Sequence, residues 1–201
     1  MSVTDIAYHS AMGRWESNAQ GRLEQAALEL YVENGFDQTT VSQIAQRAGL
    51  TERTFFRHFA DKREVLFSGA ATLEGLFVST IEGLPAAVTP IDAVVAALEA
   101  AGPVFDERGD AVRRRQRVID ANTELQEREL IKMSALGSAI TEALIRRGVA
   151  ELAASLAAGV GIAVFRIAFE RWIRQTGGPD FGPLVQESLV ELNALFATDL
   201  T

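Results

Sequence analysis

The chain has no cysteine and only two histidines in 201 residues. Without cysteine there are no disulfides, thiol nucleophiles or thiolate metal sites, and a reducing compartment is compatible. His9 stands near the N-terminus and His58 in the middle of a charged helical segment, so no histidine pair has metal-ligand spacing. There is no HExxH, no phosphate-cradling glycine loop and no nucleophile elbow. The reading is therefore not an enzyme, with no cofactor and no metal. Strand-like alternation of useful length is missing, and so is any internal repeat. Long apolar runs are scarce too. The one candidate, Leu152 to Phe169, carries a single charge, Arg166. Its Ser155, Gly159, Gly161 and many alanines suit close helix packing better than lipid contact. It reads as a helix buried on most sides, with no membrane partner. The first residues lack an apolar signal core, and Met1 to Gln20 reads as a polar, frayed lead-in. A cytoplasmic protein is the expectation.

What is present is an all-α pattern. A hydrophobic share of 48% against 23% charged residues is an ordinary globular composition. The formal net charge of −8 argues, taken alone, against a nucleic-acid partner. Locally the balance reverses. From Thr39 to Arg63 there are five basic residues (Arg47, Arg53, Arg57, Lys62, Arg63) against two acidic ones (Glu52, Asp61). A basic head on an acidic body is one reading; solvated helix faces around a small core is the other.

The order of residues in that segment, TTVSQIAQRAGLTERTFFRHFADK, separates the two. Thr40 precedes Val41, Ile44 and Ala45, with Gln43 three positions on, which is a capping box. Gly49 tolerates the left-handed backbone that ends a helix. Ala45 is small enough to let a second helix approach. Thr51 caps that second helix, on which Phe55 and Phe59 share the buried face. Thr51, Glu52, Arg53 and Arg57 are left on other faces, free to meet DNA. Asp61 with Glu64 reads as the start of a third helix. Two short helices about a tight turn are the helix-turn-helix reader of DNA.

These residues resemble the TetR-type transcriptional regulators. The resemblance rests on Thr39-Thr40-Val41, Ile44-Ala45, Ala48-Gly49-Leu50-Thr51, Thr54-Phe55-Phe56, His58-Phe59, Lys62 and Leu66. It covers residues 18 to 66 densely and the remainder only in kind. It implies phosphate contacts from Thr40, His58 and Lys62, and groove-facing positions at Thr51, Glu52, Arg53, Thr54 and Arg57. Phe56 stands where the family more often has a tyrosine, whose hydroxyl reaches a phosphate, so that bond is missing here. Arg53 has the fork geometry for a bidentate contact to guanine.

Three parts are expected: a flexible arm at 1–17, a three-helix DNA-binding domain at 18–66, and a helical effector-binding and dimerisation domain at 67–201. Arg14 and Arg22 could let the arm touch DNA, although a tail without contacts is the simpler reading. After the break at Pro85 and Pro90, helical periodicity runs over Ile91 to Phe105, Ala111 to Ala121, Glu124 to Arg147, Glu151 to Arg174 and Phe181 to Ala197. Thr123 with Gln126 reads as the cap of the third of these. Burial all round the Leu152 helix suggests a subunit interface, completed by a stripe of Leu184, Leu192 and Leu195. The resemblance agrees, implying a homodimer through the last two helices on a palindromic operator.

For an effector, Arg166 amid Ile162, Phe165 and Phe169 reads as facing protein and needing an anion. Arg115, on the stripe of Val112 and Ile119, is a second candidate, and a structural salt bridge is the alternative for both. Phe77, Phe105, Met133, Leu136, Ile140 and Trp172 could line a cavity, or be ordinary core. The region from Arg113 to Arg147 is loosely similar to family members that bind acyl-CoA thioesters. The sequence thus reads as a ligand-responsive regulator, a repressor released by an apolar or amphipathic effector. The alternatives are a DNA-binding protein without a ligand, and a helical interaction module that has lost DNA binding.

Overall fold

The computed structural model describes residues 3–175, 177 and 180–197, with side chains described for 19–175, 177 and 180–195. Among the described residues there are α-helices, a single 3-10 turn and no strand. The helices are α1 (Val3–Asn34), α2 (Val41–Arg47), α3 (Glu52–His58), α4 (Ala70–Gly83), α5 (Pro90–Glu107), α6 (Gly109–Asp120), α7 (Thr123–Arg146), α8 (Glu151–Arg174) and α9 (Phe181–Ala197), with the 3-10 turn at Glu64–Phe67. They form two compact units. The first comprises Met1–Ser68 together with Arg117–Leu125, the second Gly69–Gln116 together with Gln126–Thr201.

In the first unit, Leu23, Ala27 and Leu30 line one face of α1 at helical spacing and pack on Ile44, Phe55 and Phe59. Thr40 closes the capping box of α2, accepting from the Gln43 N–H while the Gln43 side chain accepts from the Thr40 N–H. Gly49 then takes φ +64°, the left-handed conformation that lets the chain turn into α3. Thr51 caps α3 by accepting from the Thr54 N–H at 3.2 Å. Phe55 and Phe59 sit with ring centroids 5.4 Å apart. The Tyr31 hydroxyl donates to the Lys62 carbonyl at 2.6 Å, and burial pushes its phenol well above the usual range. Three residues from the second segment, Val118, Ile119 and Leu125, complete this core.

One expectation needs correction here. The third helix does not start at Asp61. Asp61 Oδ1 does accept from the Arg63 and Glu64 N–H groups, at 2.8 and 3.1 Å, but it opens only the 3-10 turn; α4 begins at Ala70. Val65, Leu66 and Phe67 are three consecutive buried residues, and a tight 3-10 turn directs all of them into the core of the first unit. At the other end, the backbone is helical from Val3, within the stretch read as a flexible arm. That stretch has no proline to stop a helix. The side chain of Arg14 lies outside the described residues.

The second unit has its own core. Phe77, Ile81, Ala97, Leu98, Ile140, Leu144, Ala168 and Phe181 are buried in it, drawn from α4, α5, α7, α8 and α9. An aromatic cluster centres on Phe105, whose ring lies 4.9 Å from Phe181 and 5.5 Å from Phe169, centroid to centroid. Asp106 Oδ1 accepts from both Trp172 Nε1 and the Phe181 N–H, so one carboxylate ties α8 to the start of α9. Thr123 is the first residue of α7 rather than its cap.

α8 is not buried all round. Ala154, Ala157, Ala158, Gly161, Val164, Phe165 and Ala168 face the core, whereas Leu152, Leu156 and Ile167 are exposed. By length and composition α8 is apolar enough to cross a membrane, yet its alanine- and glycine-rich side packs inside this unit. On α9, Leu184 is fully buried in the same core and so leaves the expected interface stripe; among the described residues Val190 and Leu195 are its large exposed apolar side chains. The reason is phase: α9 turns Phe181, Leu184 and Val185 inward, and Val190 and Leu195 fall on another face.

Candidate nucleic-acid interface

The exposed side of α3 is built by what its other side buries. With Phe55 and Phe59 fixed in the core, helical geometry turns Arg53, Phe56 and Arg57 outward together, at i, i+3 and i+4. All three are exposed, as are Thr51 and Glu52. Phe56 is 55% exposed, unusual for so large an apolar ring, and meets Phe55 edge-on at 5.4 Å. Arg53 and Arg57 make no hydrogen bond or ion pair among the described residues. Thr54 is half-buried, and its hydroxyl lies 3.0 Å from that of Thr51, so both hydroxyls serve the cap. Thr40, also exposed, has its hydroxyl on Gln43. His58 is half-buried, with Nε2 buried and without a hydrogen-bond partner.

Three of the five cations counted in this segment are paired within the chain itself. Arg47 pairs with Glu33 at 2.8 Å and Glu29 at 3.5 Å on α1. The Arg47 hydrogen bond holds the Glu33 carboxyl below the usual range. Arg63 pairs with Asp61 at 2.6 Å and with Glu124. Burial alone would raise the Asp61 carboxyl; the Arg63 side chain and the Glu64 and Arg63 amides outweigh it and hold that carboxyl low. Lys62, which the resemblance gives to a phosphate, donates instead to the carbonyls of Phe36, Asp37 and Thr39, at 2.8, 3.2 and 2.9 Å. Its ammonium also lies 4.5 Å from the Phe36 ring centroid. An ammonium has three N–H donors, and here all are used on the chain itself. Arg53 and Arg57 are the cations left for an outside anion.

Arg22 has a role that the sequence reading did not reach. Its guanidinium donates to the Ala48 carbonyl at the C-terminal end of α2, where a cation also opposes the helix dipole. It fills the space beside Gly49, where an added Cβ would stand 2.8 Å from Arg22 Nη2. An open cleft of about 560 Å³ runs between α1 and the end of α2, lined by Arg22, Gln25, Glu29, Gln46, Arg47 and Gly49. Both of its arginines are engaged. The pairing of Arg47 with α1 did have a trace in the sequence: Glu29 and Glu33 stand four apart, on one helix face.

The residues proposed for an effector fall in the second unit. Phe77, Leu136, Ile140 and Trp172 are buried in its core, with Phe105 and Met133 packed against it. Arg115 pairs with Glu129 at 3.1 Å, a carboxylate that the chain itself supplies. Arg166 corrects the sequence reading: it is exposed, on the same outward side of α8 as Leu156 and Ile167. Phe165 and Phe169 turn toward the core and Arg166, one position on, turns away. A different arginine, Arg113, lies against the aromatic cluster, 4.3 Å from the Trp172 ring centroid.

Comparison with known proteins finds two family models along the chain. Residues 24–68 match the family model of bacterial regulatory proteins, tetR family, and residues 88–197 match that of the MftR C-terminal domain. TcmR of Streptomyces glaucescens, an HTH-type transcriptional regulator, is 39% identical over 79 residues, 39% of this chain and 35% of TcmR's own length. MftR of Mycobacterium tuberculosis, assigned to regulation of mycofactocin biosynthesis, is 26% identical over 172 residues, 84% of this chain and 87% of that one. Among solved structures, FadR of Thermus thermophilus in complex with lauroyl-CoA aligns with a TM-score of 0.54 at 23% identity, covering 85% of this chain and 91% of that one. The chain belongs to the TetR family of bacterial transcriptional regulators, with the family's N-terminal match over residues 24–68 and the MftR C-terminal match over residues 88–197.

Proposed function

We propose that the chain is a repressor that binds a palindromic operator as a homodimer and is released by an amphipathic effector of the acyl-CoA class. The observation that carries the DNA-binding half is the outward face of α3. Arg53 and Arg57 are both unpaired there, on a helix capped by Thr51 and anchored by buried Phe55. A free guanidinium pair on a rigid helix is what a major groove reader presents. Thr51 and Glu52 stand on the same exposed surface, with Thr40, Thr54 and His58 at its margin.

The dimer is proposed through α8 and α9. Leu152, Leu156, Gly159, Ala163 and Arg166 recur at spacings of four and three along the exposed side of α8, the seam pattern of packed helices. Val190 and Leu195 extend the exposed apolar surface on α9. The effector class is drawn from the FadR neighbour, named as a lauroyl-CoA complex, and from the aromatic cluster flanked by Arg113 in the second unit. Chain continuity offers a link: α6 and α7 each begin or end in one unit and run into the other. An effector acts only through its differential affinity for two states. Tenfold release asks for about 1.4 kcal/mol of coupling, within the usual allosteric range.

The test is selection of bound duplexes from a random library, footprinting of the best one, and titration with lauroyl-CoA. A protected palindrome released by the thioester supports the whole reading. A palindrome indifferent to lauroyl-CoA removes the effector class and leaves the reader. No enrichment favours the module that has lost DNA binding.

A further inference from the structure

We propose that Phe56 is a specificity residue, reading the 5-methyl group of a thymine in each operator half-site. The inference rests on the DNA-binding reading above and adds the base type that it recognises.

The geometry is local and complete. Phe56 projects from α3 one turn on from Arg53 and next to Arg57, and all three lie on the exposed side. Its ring is more than half open to solvent, while Phe55 next to it is fully buried. The core therefore has no need of Phe56, because Phe55, Phe59 and Ile44 already fill that side of the unit. A benzyl group neither donates nor accepts a conventional hydrogen bond, so it cannot hold a phosphate or a base edge in that way. In the major groove the one apolar group that a base pair offers is the thymine methyl, and phenylalanine is among the side chains suited to it. The neighbouring guanidiniums make the occupant specific. Two free cations on the same exposed surface favour a polyanion over the apolar surface of a protein partner, and a duplex held by them meets the ring as well.

The experiment uses the full chain and the duplex it selects from a random library. Each thymine in that duplex is replaced singly by uracil, which removes the methyl and leaves the pairing edge unchanged. Affinities are measured for the wild type, Phe56→Ala and Phe56→Tyr. Wild type should lose about fourfold at one thymine position per half-site, the amount expected when one buried methyl is lost, and about fifteenfold with both half-sites substituted. Phe56→Ala should bind thymine and uracil duplexes equally at that position. Phe56→Tyr, which keeps the ring, should keep the preference. Since Phe56 is more than half exposed, both variants should retain the wild-type helical signal and a cooperative melting transition. A uracil scan that is flat for wild type overturns the proposal while the DNA-binding reading stands. So does a methyl preference that survives in Phe56→Ala. Failure to select any duplex overturns both.

Discussion

Replacing Lys62 distinguishes an internal clamp from a DNA contact, because the two predict opposite readouts. The ammonium donates to three carbonyls in the α1–α2 connection and faces the Phe36 ring. A hydrogen bond from a charged donor contributes about 1.5–3 kcal/mol. The Asp37 bond is exposed and counts little, and Lys62 is itself half-open, so the other two are discounted by about half for solvent. With a cation–π term of about 0.5–1 kcal/mol, Lys62→Met should destabilise the first unit by about 2–4 kcal/mol. For a unit of this size that lowers its melting transition by on the order of 10 °C. Lys62→Arg should be destabilising as well, since a planar fork cannot reproduce three converging bonds. The second measurement is the salt dependence of operator binding. If Lys62 holds the fold together, folded Lys62→Met keeps the wild-type slope of log affinity against log salt. If it holds a phosphate, the slope of the dimer falls by about 1.8, Lys62→Arg restores it, and stability is unchanged. That second pattern would refute the clamp.

Gly49→Ala should cost about 2–3 kcal/mol in urea unfolding, from the left-handed backbone and from displacing Arg22, whose Nη2 would stand 2.8 Å from the new methyl. The penalty should shrink in an Arg22→Ala background, where nothing remains to displace; strict additivity would argue against the Arg22 cap. Asp61 has a carboxyl held below its ordinary value in the folded state, so its stabilisation is full above the ordinary carboxylate range, about pH 4, and is lost as pH falls through the lowered value. The stability difference between wild type and Asp61→Asn should therefore be larger at pH 6 than at pH 2.5, and parallel urea midpoints across that range would remove Asp61 from the acid-labile set.

Much of this architecture was legible because it depends on local chemistry. Thr40, Gln43, Gly49 and Thr51 specify the two caps and the turn within a dozen positions, and Phe55 and Phe59 specify which side of α3 is buried. The spans of α8 and α9 followed in the same way from apolar periodicity and the breaks around them. What escaped was decided by pairing at a distance. Charge counting could not show that Arg47 reaches back to Glu33, or that Lys62 turns to three carbonyls, because those partners lie 14 to 26 residues away. The phase of α8 escaped for a related reason. Its sequence is apolar on nearly every side, so periodicity alone did not reveal that Arg166 faces away from Phe165 and Phe169. The effector residues were the least legible: a buried phenylalanine has the same pattern whether it fills a core or lines a cavity.

The DNA reader is not a contiguous stretch of chain. Val118, Ile119 and Leu125 stand in the same buried cluster as Leu23 and Phe55, although some fifty residues of the other unit intervene. During synthesis, then, the reader's core is incomplete when its three N-terminal helices leave the ribosome. It must wait for residue 125, by which time α4, α5 and α6 have also been made. The same connectivity bears on how such proteins can be recombined. A head transplanted at Ser68 onto another body would leave Val118, Ile119 and Leu125 behind, so a recombined head should carry residues 117–125 along with it.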